Sequence, residues 1–231
     1  MFGVHIFFKL INYFILILNK LPCQDACKIE CVHTMENSFE TLIASYIENN
    51  VGIANHFISD ELANHLKENL LSLNEKHLLL TAGTGNADKL IHNTAIRNDV
   101  IYWLDKKHNN QYENEFFEKI EAFISYLNQE CFAGITDYEF HYSLYEKGSF
   151  YRKHLDQFQD NTSRQFSMIS YLNADWNIED GGELLIHNEG KNQKIAPTQG
   201  KTVFFKSNEL AHEVLVTNER RMSVTGWLKR G

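Results

Sequence analysis

A chain of 231 residues with 43% hydrophobic and 23% charged side chains can bury one well-packed domain, and only two prolines with no low-complexity tract exclude a long disordered region or linker. A net charge of −8 argues against a nucleic-acid binder, which needs a basic face to displace the counterions of phosphates. Cys23, Cys27 and Cys31 crowd into the first segment and only Cys131 lies in the body, which excludes a disulfide framework there. The spacing of four between the early cysteines would suit a helical metal site, but only His33 stands nearby and no second Cys or His cluster completes a metal-site spacing.

Residues 1–34 hold a strongly apolar run from Phe7 to Leu18. Lys9 and Asn12 interrupt it, leaving it short of the roughly 20 clean apolar residues of a spanning helix. No basic segment precedes it and no Ala-x-Ala cleavage site follows. It reads either as a membrane anchor or signal, or as an upstream extension to a chain that starts at Met35, where a globular pattern begins. The expected organisation is a leader or extension over 1–34 and a single domain over 35–231. Within that domain, 35–135 supplies helical support and 136–231 the core. A cytoplasmic protein is expected, membrane-attached only if 1–34 is a real anchor.

Phe39, Leu42, Ile43 and Tyr46 predict a helix over Glu36–Asn50. Val51–Phe57 reads as a short strand. Ser59 is an N-cap, with Asp60 and Glu61 in the first turn of a helix that carries Leu62, Leu66, Leu70, Leu71 and Leu73. Thr81–Ala87 is a flexible loop, either a plain connector or a mobile lip over a groove. Ala95–Leu104 is a predicted strand containing Arg97, Asp99 and Trp103. Glu113–Phe132 predicts an amphipathic helix whose stripe of Phe116, Phe117, Ile120, Phe123, Ile124 and Leu127 packs on a sheet.

From Asp137 the period switches to two. Strands are predicted at Tyr138–Tyr145, Ser149–His154, Gln165–Leu172, Glu183–His187, Lys191–Ile195, Lys201–Lys206, Glu213–Thr217 and Arg221–Leu228. Helices followed by about eight short strands make the class α+β: a double-stranded β-helix (jelly roll) core braced by N-terminal helices.

His154 and Asp156 stand two apart on a predicted strand, so both side chains leave one face. A third ligand has to come from elsewhere, and His212 opens a later strand. Two imidazoles and one carboxylate on one side of an ion leave three positions open, as non-haem Fe(II) oxygenases require. With 11 histidines in the chain, a His-x-Asp arises readily by chance. The rival His187-Asn188-Glu189, beside Gly190, reads as a solvated hairpin tip. His65, His77 and His92 read as surface or satisfied core groups.

Arg221 heads a strand whose alternation puts Arg221, Ser223, Thr225 and Trp227 on one face and Met222 and Val224 on the other. An inward guanidinium demands an anion, because an unpaired buried charge is costly, and its fork matches a carboxylate through two parallel hydrogen bonds. The expected ligand is a dianion, one end on the metal and the other on Arg221; a structural ion pair is the alternative.

With these residues the chain resembles the 2-oxoglutarate/Fe(II) dioxygenases of the prolyl hydroxylase superfamily, nearest the oxygen-sensing hypoxia-type branch and its bacterial relatives. The likeness runs from Val51 to the C-terminus. It rests on Ile96-Arg97-Asn98-Asp99-Val100-Ile101-Tyr102-Trp103, on Tyr145 before Tyr151–Asp156, on Tyr171-Leu172-Asn173 with Asp175-Trp176 and Gly181-Gly182, and on His212-Glu213-Val214 before Arg221, Thr225 and Trp227. The resemblance implies Fe(II) on His154, Asp156 and His212, and the distal carboxylate of 2-oxoglutarate on Arg221. It also implies hydrogen bonds to that co-substrate from Tyr145 and Tyr171, and Thr225 in its pocket. Dioxygen and ascorbate are the further implied participants, the latter re-reducing stray Fe(III). The implied reaction hydroxylates a prolyl residue of a protein or peptide, releasing succinate and CO2. The chain departs from its relatives at Leu185, often basic there, and no C-terminal helix of the kind that grips substrate in some members is expected after Trp227. Related dioxygenases acting on a free amino acid or small metabolite, and a non-catalytic jelly-roll sensor, are the alternatives; a nucleobase demethylase would need a basic groove and a different Arg spacing.

Overall fold

The computed structural model describes residues 37–83, 93–157, 161–188 and 192–231. The leader, its cysteines, His92, Glu189 and most of the predicted 81–87 loop lie outside them. Phe39–Gly231 form one compact unit.

Helix α1 (37–49) is followed by the short edge strand β1 (Gly52–Ala54). Helix α2 (Asp60–Glu75) starts where the Ser59 side chain accepts a hydrogen bond from the Leu62 N–H, satisfying one orphan donor of the first turn. After β2 (Leu80–Thr81), β3 (Val100–Trp103) and a 3-10 turn (Lys106–His108), helix α3 (Gln111–Glu130) is capped by Asn110, which accepts from the N–H groups of Tyr112 and Glu113. The strands then run β4 (Asp137–Tyr145), β5 (Tyr151–His154), β6 (Arg164–Tyr171), β7 (Leu184–His187), β8 (Gln193–Ile195), β9 (Thr202–Lys206), β10 (Ala211–Val214) and β11 (Arg221–Lys229).

They pair antiparallel throughout, as a seven-stranded sheet in the order β1-β9-β6-β11-β4-β3-β2 and a four-stranded sheet in the order β5-β10-β7-β8. The expected jelly roll and its α+β class are present. Alternation along β9 shows how the layers form. Phe204 meets the helical layer, with ring centroids 5.5 Å from Tyr46 of α1 and 5.5 Å from Phe123 of α3. Its neighbours Val203 and Phe205 join Ile169, Leu184, Ile186 and Val214 in the core between the sheets. Apart from half-buried Tyr46, every one of these side chains is at least nine-tenths buried, and a buried Phe contributes roughly 1.5–3 kcal/mol.

Several boundaries differ from expectation. The Val51–Phe57 strand contracts to three residues, because beyond Ala54 the chain turns away from β9. The predicted Glu213–Thr217 strand lies two residues earlier, at Ala211–Val214, so His212 is inside the ladder. Thr217 instead bridges to Gly181. Only Val100–Trp103 of the predicted 95–104 strand is regular, with Arg97 in an isolated bridge to Tyr151. Thr81, expected in a loop, pairs with Val100.

Candidate metal centre and co-substrate pocket

β5 and β10 are neighbours in the small sheet, and their register sets His154 directly opposite His212. A bulge follows, since Val214 pairs with Tyr151. β5 ends at His154, so Asp156 is not on the strand: the same-face argument from strand alternation does not hold for it. Its backbone N–H instead donates to the Ser207 carbonyl at 3.2 Å. The carboxylate still arrives between the two imidazoles, with Oδ1 3.3 Å from His154 Nε2 and Oδ2 3.6 Å from His212 Nε2. One donor atom from each residue lies within 4.8 Å of the other two.

The protonation pattern suits ligation. His154 Nδ1 lies 2.7 Å from the Arg152 carbonyl and His212 Nδ1 lies 3.1 Å from the Leu210 carbonyl. A carbonyl only accepts, so each Nδ1 carries the hydrogen and each Nε2 turns its lone pair toward Asp156. Burial pushes the His212 pKa down to about 4, which keeps that imidazole neutral. For Asp156 burial acts in the opposite sense. Its close contacts with His212 and His154 and the hydrogen bond from Ser167 outweigh it and hold the carboxyl well below its usual range. Two imidazoles with their Nδ1 atoms tied to backbone carbonyls, and one carboxylate, fit a divalent ion of the Fe(II) type.

A cavity of about 570 Å3 opens from this cluster between the sheets. Arg221, first residue of β11 and 3% exposed, lines it. Its Nε donates to the Gly182 carbonyl at 2.8 Å, and its guanidinium carbon lies 4.8 Å from the Tyr145 ring centroid and 5.1 Å from that of Tyr171. Gly182 permits this approach: φ is +72°, and a Cβ there would stand 3.1 Å from Arg221 Cδ. No carboxylate among the described residues pairs with Arg221. Arg97, by contrast, grips Asp99 with two bonds of 2.8 and 2.6 Å and needs nothing further.

Tyr145 and Thr225 line the cavity. Tyr171 is fully buried beside Arg221 but does not line it, and its hydroxyl has no hydrogen-bond partner. Burial raises the pKa of both phenols, against the opposing Arg221 charge, so both stay protonated and able to donate. A guanidinium with no carboxylate partner among the described residues, lining the cavity with the Tyr171 phenol buried against it, fits a carboxylate ligand at this end of the cavity.

The opposite end is aromatic. Trp103, His141 and Trp227 pack together, and the Arg164 guanidinium carbon sits 3.4 Å from the Trp227 ring centroid. His141 is buried, and its pKa is pushed down to about 3 by that burial, helped by the charges of Arg97 and Arg164. Leu80, Trp103 and Leu155 are exposed where they line the cavity. Sequence reasoning missed Ser167, Ser207, His141 and Arg164. Only the outward alternation of β4 and β6 hinted that polar side chains face the cavity there. His187 is the last residue of β7, as the predicted strand end had it, its Nε2 2.9 Å from Glu213 Oε1, while Glu189 and Gly190 of the expected tip lie outside the described residues. His65 stacks on Tyr112, and His77 is exposed.

The family model of the 2OG-Fe(II) oxygenase superfamily matches residues 140–229, which hold all of these site side chains except those of the β2–β3 wall. A prolyl-4-hydroxylase from Pseudomonas putida is similar at 30% identity and a TM-score of 0.75, over 84% of this chain and 99% of that one. A Trichoplax adhaerens prolyl hydroxylase, solved with a hypoxia inducible factor oxygen degradation domain peptide fragment, shares the fold at 23% identity and a TM-score of 0.75, covering 86% of this chain and 91% of that one. A Phytophthora capsici prolyl 4-hydroxylase shares it at 17% identity and a TM-score of 0.70, over 86% of this chain and 65% of that one. The fold and the site define a non-haem dioxygenase. The chain belongs to the 2OG-Fe(II) oxygenase superfamily and is a 2-oxoglutarate-dependent dioxygenase, with Fe(II), 2-oxoglutarate and dioxygen as the participants its family implies. Among the described residues, no helix is long and apolar enough to cross a membrane.

Proposed function

We propose that this dioxygenase hydroxylates a prolyl residue in a protein or peptide. His154, Asp156 and His212 hold Fe(II), and Arg221 takes the distal carboxylate of 2-oxoglutarate. The observation that carries the reading is Arg221: a buried guanidinium with no carboxylate partner among the described residues, on the same cavity as the three converging donors. The Pseudomonas putida relative favours proline, and the peptide complex of the Trichoplax adhaerens enzyme favours a polypeptide substrate.

In this reading His154 and His212 each present an Nε2 lone pair, their rings kept from turning by the Nδ1–H bonds to the Arg152 and Leu210 carbonyls. Asp156 adds the anionic donor. Arg221 offers its terminal N–H groups, since its Nε–H is already engaged by Gly182. Tyr171 and Tyr145 donate phenolic protons to co-substrate oxygens, and Thr225 borders the same pocket. The iron, with 2-oxoglutarate and dioxygen, supplies the oxidation that places a hydroxyl on a C–H bond and releases succinate and CO2. Trp103, His141 and Trp227 exclude water from the far end, while exposed Leu80 and Leu155 meet the chain that brings the target residue in. Ascorbate, implied by the resemblance, would serve as an external reductant for such an iron.

The test incubates the protein with Fe(II), 2-oxoglutarate and a panel of proline-containing peptides, following succinate and peptide mass. Gain of one oxygen on proline supports the proposal. Gain on free amino acids or metabolites alone assigns a different substrate class. No 2-oxoglutarate consumption under any condition would make the fold a binding module.

A further inference from the structure

Asp156 poses a positioning problem that the histidines do not share. His154 and His212 are fixed by strand pairing, whereas Asp156 sits past the end of β5 and no ladder orients it. We infer that Ser167 and Ser207 form a buried hydroxyl chain that locks the Asp156 carboxylate and disfavours its binding the metal through both oxygens. The inference rests on the metal-site reading above and assigns two residues that touch neither metal nor co-substrate.

The Ser167 Oγ lies 2.6 Å from Asp156 Oδ2, and the Ser207 Oγ lies 2.9 Å from Ser167 Oγ. Both serines are fully buried. An ionised carboxylate only accepts, so Ser167 must donate to it, which leaves the Ser167 oxygen to accept from Ser207. Each hydroxyl thus polarises the next. Ser207 acts a second time through its backbone: its carbonyl accepts the N–H groups of Asp156 at 3.2 Å and Gln157 at 3.1 Å. Main chain and side chain of Asp156 are therefore held from the same point.

The chain also joins the two sheets. Ser167 lies on β6 of the large sheet, paired with Trp227 on one side and Phe205 on the other, and Ser207 directly follows β9. Through these hydroxyls the large sheet, which carries Arg221, determines where the small sheet's carboxylate points. With Oδ2 engaged by Ser167, Asp156 offers Oδ1 toward His154 Nε2. One-oxygen ligation keeps the opposite positions of the ion open, while a freely turning carboxylate could close one of them by binding through both oxygens.

The test uses the full chain with Mn(II) as probe, titrated by the loss of the free-ion EPR signal, and Co(II) absorption as a report on coordination. Ser167→Ala should weaken Mn(II) binding about 10- to 100-fold, the range for loss of a group that orients a ligand, and should change the Co(II) spectrum. Ser207→Ala should do the same to a smaller degree. The double variant should be no weaker than Ser167→Ala, because one chain cannot be broken twice. Melting of the metal-free variants separates misfolding from lost ligation. Wild-type affinity and spectrum in folded Ser167→Ala would overturn the inference, as would strictly additive effects. A wild-type protein that binds no Mn(II) would instead sink the metal-site reading, and this inference with it.

Discussion

Arg221 gives the sharpest test, because what the structure withholds from it sets the size of the effect. Its Nε is spent on the 2.8 Å bond to Gly182 and no carboxylate among the described residues meets its terminal N–H groups, which remain for a ligand. In Arg221→Lys the charge survives but the fork is lost. Losing one hydrogen bond to a charged group costs about 1.5–3 kcal/mol, or roughly a 10- to 150-fold rise in the 2-oxoglutarate KM. Arg221→Met removes the charge as well and costs about 2–5 kcal/mol of co-substrate binding. Stability should respond differently. No carboxylate among the described residues is orphaned by the Met change, so the apo protein loses the satisfied Gly182 carbonyl, about 1–3 kcal/mol, and the guanidinium contacts with the Tyr145 and Tyr171 rings, and is relieved of a buried charge without a carboxylate. Succinate formation against 2-oxoglutarate concentration gives the KM, and thermal melting with and without 2-oxoglutarate gives the rest. An unchanged KM in both variants would refute the clamp. So would a loss of about 3–5 kcal/mol in the metal-free, co-substrate-free protein, the mark of a broken buried ion pair.

Asp156→Ala and His154→Ala should each abolish Mn(II) binding and succinate formation while the far-UV circular dichroism stays native; near wild-type turnover in either would discard the ligand assignment. His141 predicts a pH effect. Its folded pKa of about 3 lies below the ordinary 6.5, so the unfolded chain binds the extra proton. The stability it contributes is complete above about pH 6.5 and is lost as pH falls toward 3. Urea unfolding of His141→Gln should therefore show a pH slope between 6 and 4 shallower than wild type by up to about 1.4 kcal/mol per unit, and equal slopes would contradict the burial argument. Ser59→Ala removes the cap of α2 and should cost about 1 kcal/mol in chemical denaturation, with turnover of the folded enzyme unchanged. Gly226→Ala should prevent soluble folding, because a Cβ there collides with the Glu139 carbonyl and the Phe140 ring across the β11–β4 pair; a normally melting variant would show that the pair can spread.

Side-chain period carried much of this structure in the sequence. The spacing of Phe116, Phe123 and Leu127 marked the buried stripe of α3, and the alternation of Arg221, Ser223, Thr225 and Trp227 assigned the cavity face of β11, since each residue reports its own face through local geometry. Caps were legible for the same reason: the Ser59 bond to Leu62 spans one turn. Strand limits were not, as the two-residue error at β10 shows, because a strand ends where its partner ends and the partner is distant in the chain.

The sequence by itself singled out the candidate side chains: an inward guanidinium, a His-x-Asp and a later histidine within a jelly roll. Only the tertiary structure decided that His212 rather than His187 faces His154, that Arg97 is paired with Asp99 while no carboxylate among the described residues pairs with Arg221, and that the hydroxyls of the distant Ser167 and Ser207 reach Asp156. Those facts depend on strand order and register between segments far apart in the chain. No local period encodes them, because the period of a strand fixes the direction of a side chain and says nothing of what stands opposite it.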